Sequence, residues 1–78
     1  SATVEIEGKP GLAIRVTPRD RGDDPPPPVF TGTLGPDGKR QVQVPAGYFV
    51  VLADGYETAP LHVTETATTL TCKLVARA

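Results

Sequence analysis

The 78-residue chain contains no tryptophan, one cysteine and one histidine, and only 5% of its residues are aromatic. A single cysteine cannot form an internal disulfide, and it falls short of the four ligands that a structural zinc ion normally takes. With so few aromatic rings, the chain also offers few of the flat platforms on which a carbohydrate site depends. We therefore expect no disulfide, no metal and no cofactor.

Blocks of like charge are missing as well. Eight basic and nine acidic residues are spread along the chain and give a net charge of −1, so the electrostatic pattern of a nucleic-acid-binding surface is absent. The longest apolar run, residues 49–53, is much shorter than the roughly 20 residues of a membrane span, and no charged-then-apolar leader opens the sequence. Neither nucleic-acid binding nor membrane insertion is expected.

The usual sequence marks of catalysis are also lacking. The chain has no nucleophile elbow, no phosphate-binding glycine loop and no set of four metal ligands. His62 has no second histidine and no paired nucleophile near it in sequence, and Cys72 is in phase with Leu70 and Leu74, which predicts an inward, structural position. We predict that the protein is not an enzyme.

What the sequence does contain is hydrophobic alternation with a period of two, which is typical of half-buried strands. Val42 and Val44, for example, alternate with Gln41 and Gln43. No window shows the spacing of an amphipathic helix. The alternating or strongly apolar segments are residues 3–7, 12–17, 29–34, 40–44, 48–53, 61–64 and 69–76.

These segments predict one all-β domain over residues 1–78, a six- to seven-stranded antiparallel β-sandwich with an Ig-like or transthyretin-like topology. A chain of this length has room for one hydrophobic core. The first two strands are expected to form a hairpin or a bent pair. Gly35-Pro36-Asp37-Gly38 is expected to be a tight hairpin turn, because proline presets φ and the second glycine accepts a positive φ.

Residues 19–28 contain no apolar residue other than proline and predict an exposed loop, either a crossover between sheets or an exposed arm. Its extended polyproline run consists of Pro25, Pro26, Pro27 and Pro28. Such a run can dock on an aromatic groove of a proline-binding domain, but a stiff spacer is the simpler interpretation.

The same loop contains Arg21-Gly22-Asp23, which matches the adhesion tripeptide recognised by integrins. A match of three common loop residues is weak evidence by itself, and chance explains it more simply. Asp20, Asp23 and Asp24 also crowd this loop, but the interleaved arginines favour a solvated charged loop over a calcium site.

The segment at residues 48–53 is apolar on both faces, one formed by Phe49, Val51 and Ala53 and the other by Tyr48, Val50 and Leu52. Only one face of a strand meets the core of a two-sheet structure, so the second row is exposed unless something covers it. Two interpretations stay open. Either the proline loop or a terminus folds over the row, or the row is a surface for a partner or for self-association.

Three spaced turn motifs in the second half of the chain resemble those of carboxypeptidase regulatory-like and PEGA-type modules, which are small sandwiches of transthyretin-like, or prealbumin-like, topology. The motifs are Pro36-Asp37-Gly38, then Val44-Pro45-Ala46-Gly47 before an apolar strand, then Gly55-Tyr56-Glu57 after it. Residues 34–75 follow this order, whereas residues 1–33 match only as generic strands. The resemblance implies a non-catalytic module that sits beside another domain as a packing, spacing or ligand-presenting unit, in an extracytoplasmic or cell-surface location.

The predicted function is therefore that of a non-catalytic accessory module that mediates protein–protein contacts or spacing within a larger protein or assembly. Its predicted surface is Tyr48, Val50 and Leu52, and its partner is another protein, an adjacent domain or a second copy of the chain. The alternative is a ligand-binding module, for a glycan or a peptide, that uses the loops at residues 19–28 and 54–58.

Overall fold

The structure is a computed structural model that describes residues 2–19, 27–66 and 68–77, and within them it contains seven strands and no helix. The strands are β1 (Ala2–Glu7), β2 (Ala13–Pro18), β3 (Phe30–Thr33), β4 (Lys39–Val44), β5 (Gly47–Leu52), β6 (Ala59–Val63) and β7 (Thr69–Lys73). Each strand coincides with a segment marked by its hydrophobic pattern. The radius of gyration, 12.0 Å, is close to the value of about 11.5 Å expected for a compact chain of this length. The all-β prediction is confirmed.

The strands form two sheets. The three-stranded sheet has the order β4-β1-β7, and the four-stranded sheet has the order β3-β2-β5-β6. Neighbouring strands are antiparallel except for β1 and β7, which run parallel with Thr3 beside Thr69 and Glu7 beside Lys73. The prediction of an antiparallel arrangement throughout is wrong for this pair, because alternation fixes the face of each residue but not the direction of the neighbouring strand.

Two connections pass from one sheet to the other, β1–β2, which was expected to be a hairpin or a bent pair, and β3–β4, which was expected to be a hairpin. β1 and β2 lie in different sheets, and so do β3 and β4. The turn at Gly35 does form, since the Gly38 amide donates to the Gly35 carbonyl at 2.9 Å and Gly38 has a φ of 77°. The hairpin pairing inferred from this turn is wrong. A crossing connection places the apolar rows of consecutive strands in facing layers, where they cover each other.

The inward-facing side chains of both sheets form one hydrophobic cluster. The largest fully buried side chains are all β-branched, namely Val4, Ile6, Ile14, Val16, Val44, Val51 and Val63. Such side chains have few rotamers to lose and pack well on a pleated surface. Val42, Val44 and Cys72 are all buried, as their alternation predicts, and no polar or charged residue is buried in the described part of the chain. Removal of apolar surface from water is therefore the main stabilising contribution.

The outer face of the three-stranded sheet is polar throughout. Strand register sets its side chains in three rows, which are Thr3, Gln43 and Thr69, then Glu5, Gln41 and Thr71, then Glu7, Lys39 and Lys73. The Gln43 side-chain amide donates to the Thr3 hydroxyl at 2.7 Å, and Lys39 pairs with Glu7 at 3.7 Å. This face has the chemistry of a surface that stays in water.

We expect Gly38→Ala to destabilise the fold more than Gly11→Ala, although both glycines have a φ of 77°. A methyl group at position 38 would collide with the Gly8 carbonyl oxygen, whereas one at position 11 meets nothing within 4 Å. Each change incurs a left-handed backbone cost of about 1–2 kcal/mol. Displacing the Gly8 backbone, whose amide donates to the Gly38 carbonyl at 2.8 Å, should add roughly 1–3 kcal/mol. Urea unfolding of both variants measures the difference, and equal losses would contradict the close backbone contact.

Candidate functional site

The candidate site is the outer face of the four-stranded sheet, centred on β5. Register places Tyr48 beside His62, Val50 between Thr17 and Pro60, and Leu52 beside Arg15. Tyr48 is 54% exposed, while Val50 and Leu52 are half-buried. The alternate residues of the same strand, Phe49 and Val51, are buried in the core. Both faces of β5 are therefore apolar, and only one of them contributes to the hydrophobic core.

Part of the predicted proline loop is described by the structure. Arg19, Pro27 and Pro28 are exposed, and the Arg19 amide donates to the Tyr48 carbonyl at 2.8 Å. The other residues assigned to this loop or to its motifs, Asp20, Arg21, Gly22, Asp23, Asp24, Pro25 and Pro26, lie outside the described residues. The described start of the loop is thus hydrogen-bonded to β5, next to the apolar row.

An aromatic stack stands at one end of the row. The rings of Tyr48 and His62 lie nearly parallel, at 8°, with 4.2 Å between their centroids. The contact follows from the β5–β6 register, which places the two residues directly opposite each other. The alternation predicts that His62 faces outward, but its contact with Tyr48 was not predicted from the sequence. One ring face of each residue is covered by the other.

Beside this stack lies an open groove of about 480 Å³, which we call the Tyr48 groove. Its outward-facing lining consists of Arg19, Tyr48, Val50, Thr58, Pro60 and His62. The floor is apolar, and a guanidinium, a hydroxyl and an imidazole stand at its margins. An apolar cleft with a few polar groups, of a few hundred Å³, is the usual form of a binding site in proteins.

A second cavity of about 280 Å³, which we call the arginine pocket, continues from the groove along β5. Its polar and outward-facing lining consists of Arg15, Leu52, Asp54, Tyr56, Thr58 and Arg77, and Thr58 lines both cavities. Two guanidinium groups and one carboxylate give the arginine pocket a net positive charge. The salt bridge found among the described residues, between Lys39 and Glu7, lies on the other sheet.

Arg77 reaches this pocket because the segment after β7 is hydrogen-bonded to the 54–58 loop. Tyr56 forms an isolated bridge with Ala76. The Glu57 amide donates to the Val75 carbonyl at 2.8 Å, and the Arg77 amide donates to the Gly55 carbonyl at 3.0 Å. Arg77 was not predicted from the sequence, since no local pattern indicates a bridge between segments so far apart in the chain.

In residues 2–19, 27–66 and 68–77, no three histidine, cysteine, aspartate or glutamate side chains are grouped to hold a metal ion. Cys72 belongs to the three-stranded sheet and lies in the core, where burial raises the pKa of its thiol. What the site offers instead is apolar contact beside fixed positive charge.

No family model matches the chain, and no curated protein and no solved structure is significantly similar to it. Among the described residues there is also no helix with the length and hydrophobicity needed to cross a membrane.

We expect Val50→Ala to cost little stability and Val51→Ala to cost much more, although these valines are neighbours on β5. Val51 is fully removed from solvent, so its truncation leaves a core cavity and should cost about 2–4 kcal/mol. Val50 is only half-buried, which predicts a loss of less than about 1 kcal/mol. Urea unfolding at neutral pH compares the two variants. Similar losses would mean that the chain itself covers the outer row.

We expect the stability of the folded chain to fall at alkaline pH through Cys72. Because burial raises the pKa of this thiol, the folded state keeps its proton at a pH where the unfolded state has lost it. The contribution of the Cys72 thiol to the free energy of unfolding is fully present below the ordinary thiol pKa, and it is lost as pH rises toward the raised pKa. Urea midpoints between pH 7 and 10 should therefore fall more steeply for the native chain than for Cys72→Val. Parallel profiles would contradict this assignment.

Proposed function

We propose that the chain is a non-catalytic β-sandwich module that mediates contacts with another protein or an adjacent domain. The contact surface is the outer row of β5, formed by Tyr48, Val50 and Leu52. The proposal includes a transthyretin-like topology, like that of carboxypeptidase regulatory-like and PEGA-type modules. It is supported by three positive-φ glycines, Gly38, Gly47 and Gly55, one in each of the turn motifs that carry the resemblance.

The observation that carries the proposal is the difference between the two outer faces of the same small protein. The three-stranded sheet exposes only threonine, glutamine, glutamate and lysine in its paired rows. The four-stranded sheet exposes the Tyr48 row together with Pro60 and His62. Exposing apolar side chains to water is equally unfavourable on both faces. An apolar row confined to one of them is typical of a surface that a partner covers.

The energetics of a contact at this face are favourable. Apolar surface removed from water contributes about 25 cal/mol per Å², and strand residues give up little backbone freedom on binding because they are already fixed by the sheet. The ring of Tyr48, the most exposed part of the row, is held in place by its stack on His62. Tyrosine in such a position supplies a large contact area with few torsions to immobilise.

The ligand-binding alternative is favoured by one specific observation, the position of the 54–58 loop. Thr58 lines both cavities, and Asp54 and Tyr56 line the arginine pocket. Of the loop at residues 19–28, Arg19 is the described residue that contributes to the Tyr48 groove. This alternative uses the same face, so the two functions differ in the size and chemistry of the occupant.

Site-specific photo-crosslinking in the native host tests the proposal. A benzophenone amino acid in place of Val50 should give adducts with a defined set of peptides from a partner protein or adjacent domain, identified by mass spectrometry. The matched control is the same amino acid in place of Gln41, which is exposed in the middle row of the polar outer face and should give no such adducts. The proposal is wrong if position 50 reacts only within its own molecule or reacts no more than position 41.

A further inference from the structure

We propose that the outer face of the four-stranded sheet binds a short, extended, acidic segment of a partner protein. The segment lays apolar or proline side chains in the Tyr48 groove and places a carboxylate in the arginine pocket. This inference rests on the proposed function and specifies the chemistry of the partner.

The shape of the two cavities favours an extended chain. They share Thr58 and together follow β5 from Tyr48 to Asp54, which is about 20 Å at roughly 3.3 Å per residue. An extended peptide of about six residues has that length. Arg19 and β6 border the Tyr48 groove, and β2 and Arg77 border the arginine pocket. An extended chain, which is narrower than a helix of about 10–12 Å, can pass from one cavity to the other along β5.

The positive charge on this face favours a segment with carboxylate side chains. The four strands of the sheet contain one charged residue, Arg15, and Arg19 follows β2 directly. Both are exposed, and they lie about 13 Å apart on the β2 side of β5 at the rise of an extended strand, Arg19 at the Tyr48 groove and Arg15 at the arginine pocket. Arg77 adds a second guanidinium at the Arg15 end, where Asp54 is the one acidic residue of the pocket lining. Guanidinium groups bind carboxylates through paired, charge-assisted hydrogen bonds.

A second copy of the chain fits this face less well. The four strands, spaced at about 4.8 Å and about 20 Å long, present roughly 400 Å² in outline. Stable protein–protein interfaces bury about 800 Å² on each partner. A face-to-face dimer of that size would therefore have to extend over the loops around the sheet, whereas a single extended segment fits within the two cavities.

A glycan is disfavoured by the groove's chemistry. Sugar sites combine exposed aromatic faces with polar groups that orient hydroxyls, but His62 covers one face of the Tyr48 ring and Val50 and Pro60 form the floor. Among the described residues, no buried side-chain nitrogen or oxygen lacks a hydrogen-bond partner. The groove thus has no unpaired buried polar group that would hydrogen-bond to a sugar hydroxyl.

Selection from a displayed library of random hexapeptides tests the inference on the whole chain. The enriched sequences should combine aspartate or glutamate with proline or aliphatic residues. In ¹⁵N NMR titrations, the best acidic peptide should shift amides of β5, β6 and Arg15 and bind at least about fivefold more tightly than its twin with asparagine or glutamine at the acidic positions. The ratio of the two affinities should decrease at 300 mM salt, because the screening length between exposed charges is then below about 10 Å.

Three variants and a control locate the carboxylate. Arg15→Gln and Arg77→Gln should each weaken binding of the acidic peptide about three- to fivefold and leave its amide twin unchanged. Val50→Ser should weaken both peptides about three- to tenfold, since it removes apolar contact. Lys73→Gln, which removes an exposed cation from the opposite outer face, should change neither. Each variant alters an exposed or half-buried residue, and its ¹⁵N spectrum shows that it is folded.

The possible results separate the inference from the proposed function. If position 50 crosslinks to a partner, but the selected peptides lack acid or ignore Arg15→Gln and Arg77→Gln, the inference is wrong and the proposed function stands. If neither crosslinks nor enriched peptides are found, both are wrong. Binding of a uronate oligosaccharide at the same amides, or a concentration-dependent dimer that protects them, without peptide enrichment, also overturns the inference.

Discussion

Valine and isoleucine side chains from both sheets meet in one thin layer, and that contact determines which residues of each strand face outward. Because β-branched residues have restricted χ1 rotamers, each strand is fixed in rotation about its own axis once its inward residues pack. Burial of Phe49 and Val51 therefore forces Tyr48, Val50 and Leu52 outward. The apolar outer row is a geometric result of the core, and its residue types are what require a functional explanation.

Most of the fold could be predicted from the parity of hydrophobic residues, that is, from whether they occupy the odd or the even positions of each strand. Parity identified the strands and placed Val42, Val44 and Cys72 inside, because an extended chain must alternate its side chains between two faces. It could not assign strands to sheets. β1 and β2 carry similar alternation, and only the long-range contacts of β1 with β4 and β7 place it in the other layer.

The candidate site was partly predictable for the same reason. The apolar row on β5 is visible in the sequence, whereas its partners depend on register and on distant segments. One signal for the aromatic stack was present, since Tyr48 and His62 are equidistant from Gly55 in sequence. A hairpin centred on that positive-φ glycine pairs them. The approach of Arg77 to Arg15 had no comparable signal, because it depends on hydrogen bonds between the segment after β7 and the 54–58 loop.

The parallel pairing of β1 with β7 has a mechanical consequence. Parallel neighbours run in the same direction, so the start of β1 and the end of β7 lie at opposite ends of the three-stranded sheet. Tension applied between those points loads the hydrogen bonds of this pair in shear, and they must break together, whereas a hairpin would peel open one bond at a time. A domain with this pairing resists stretching along its length, with the rate of forced unfolding set by the height of that single barrier.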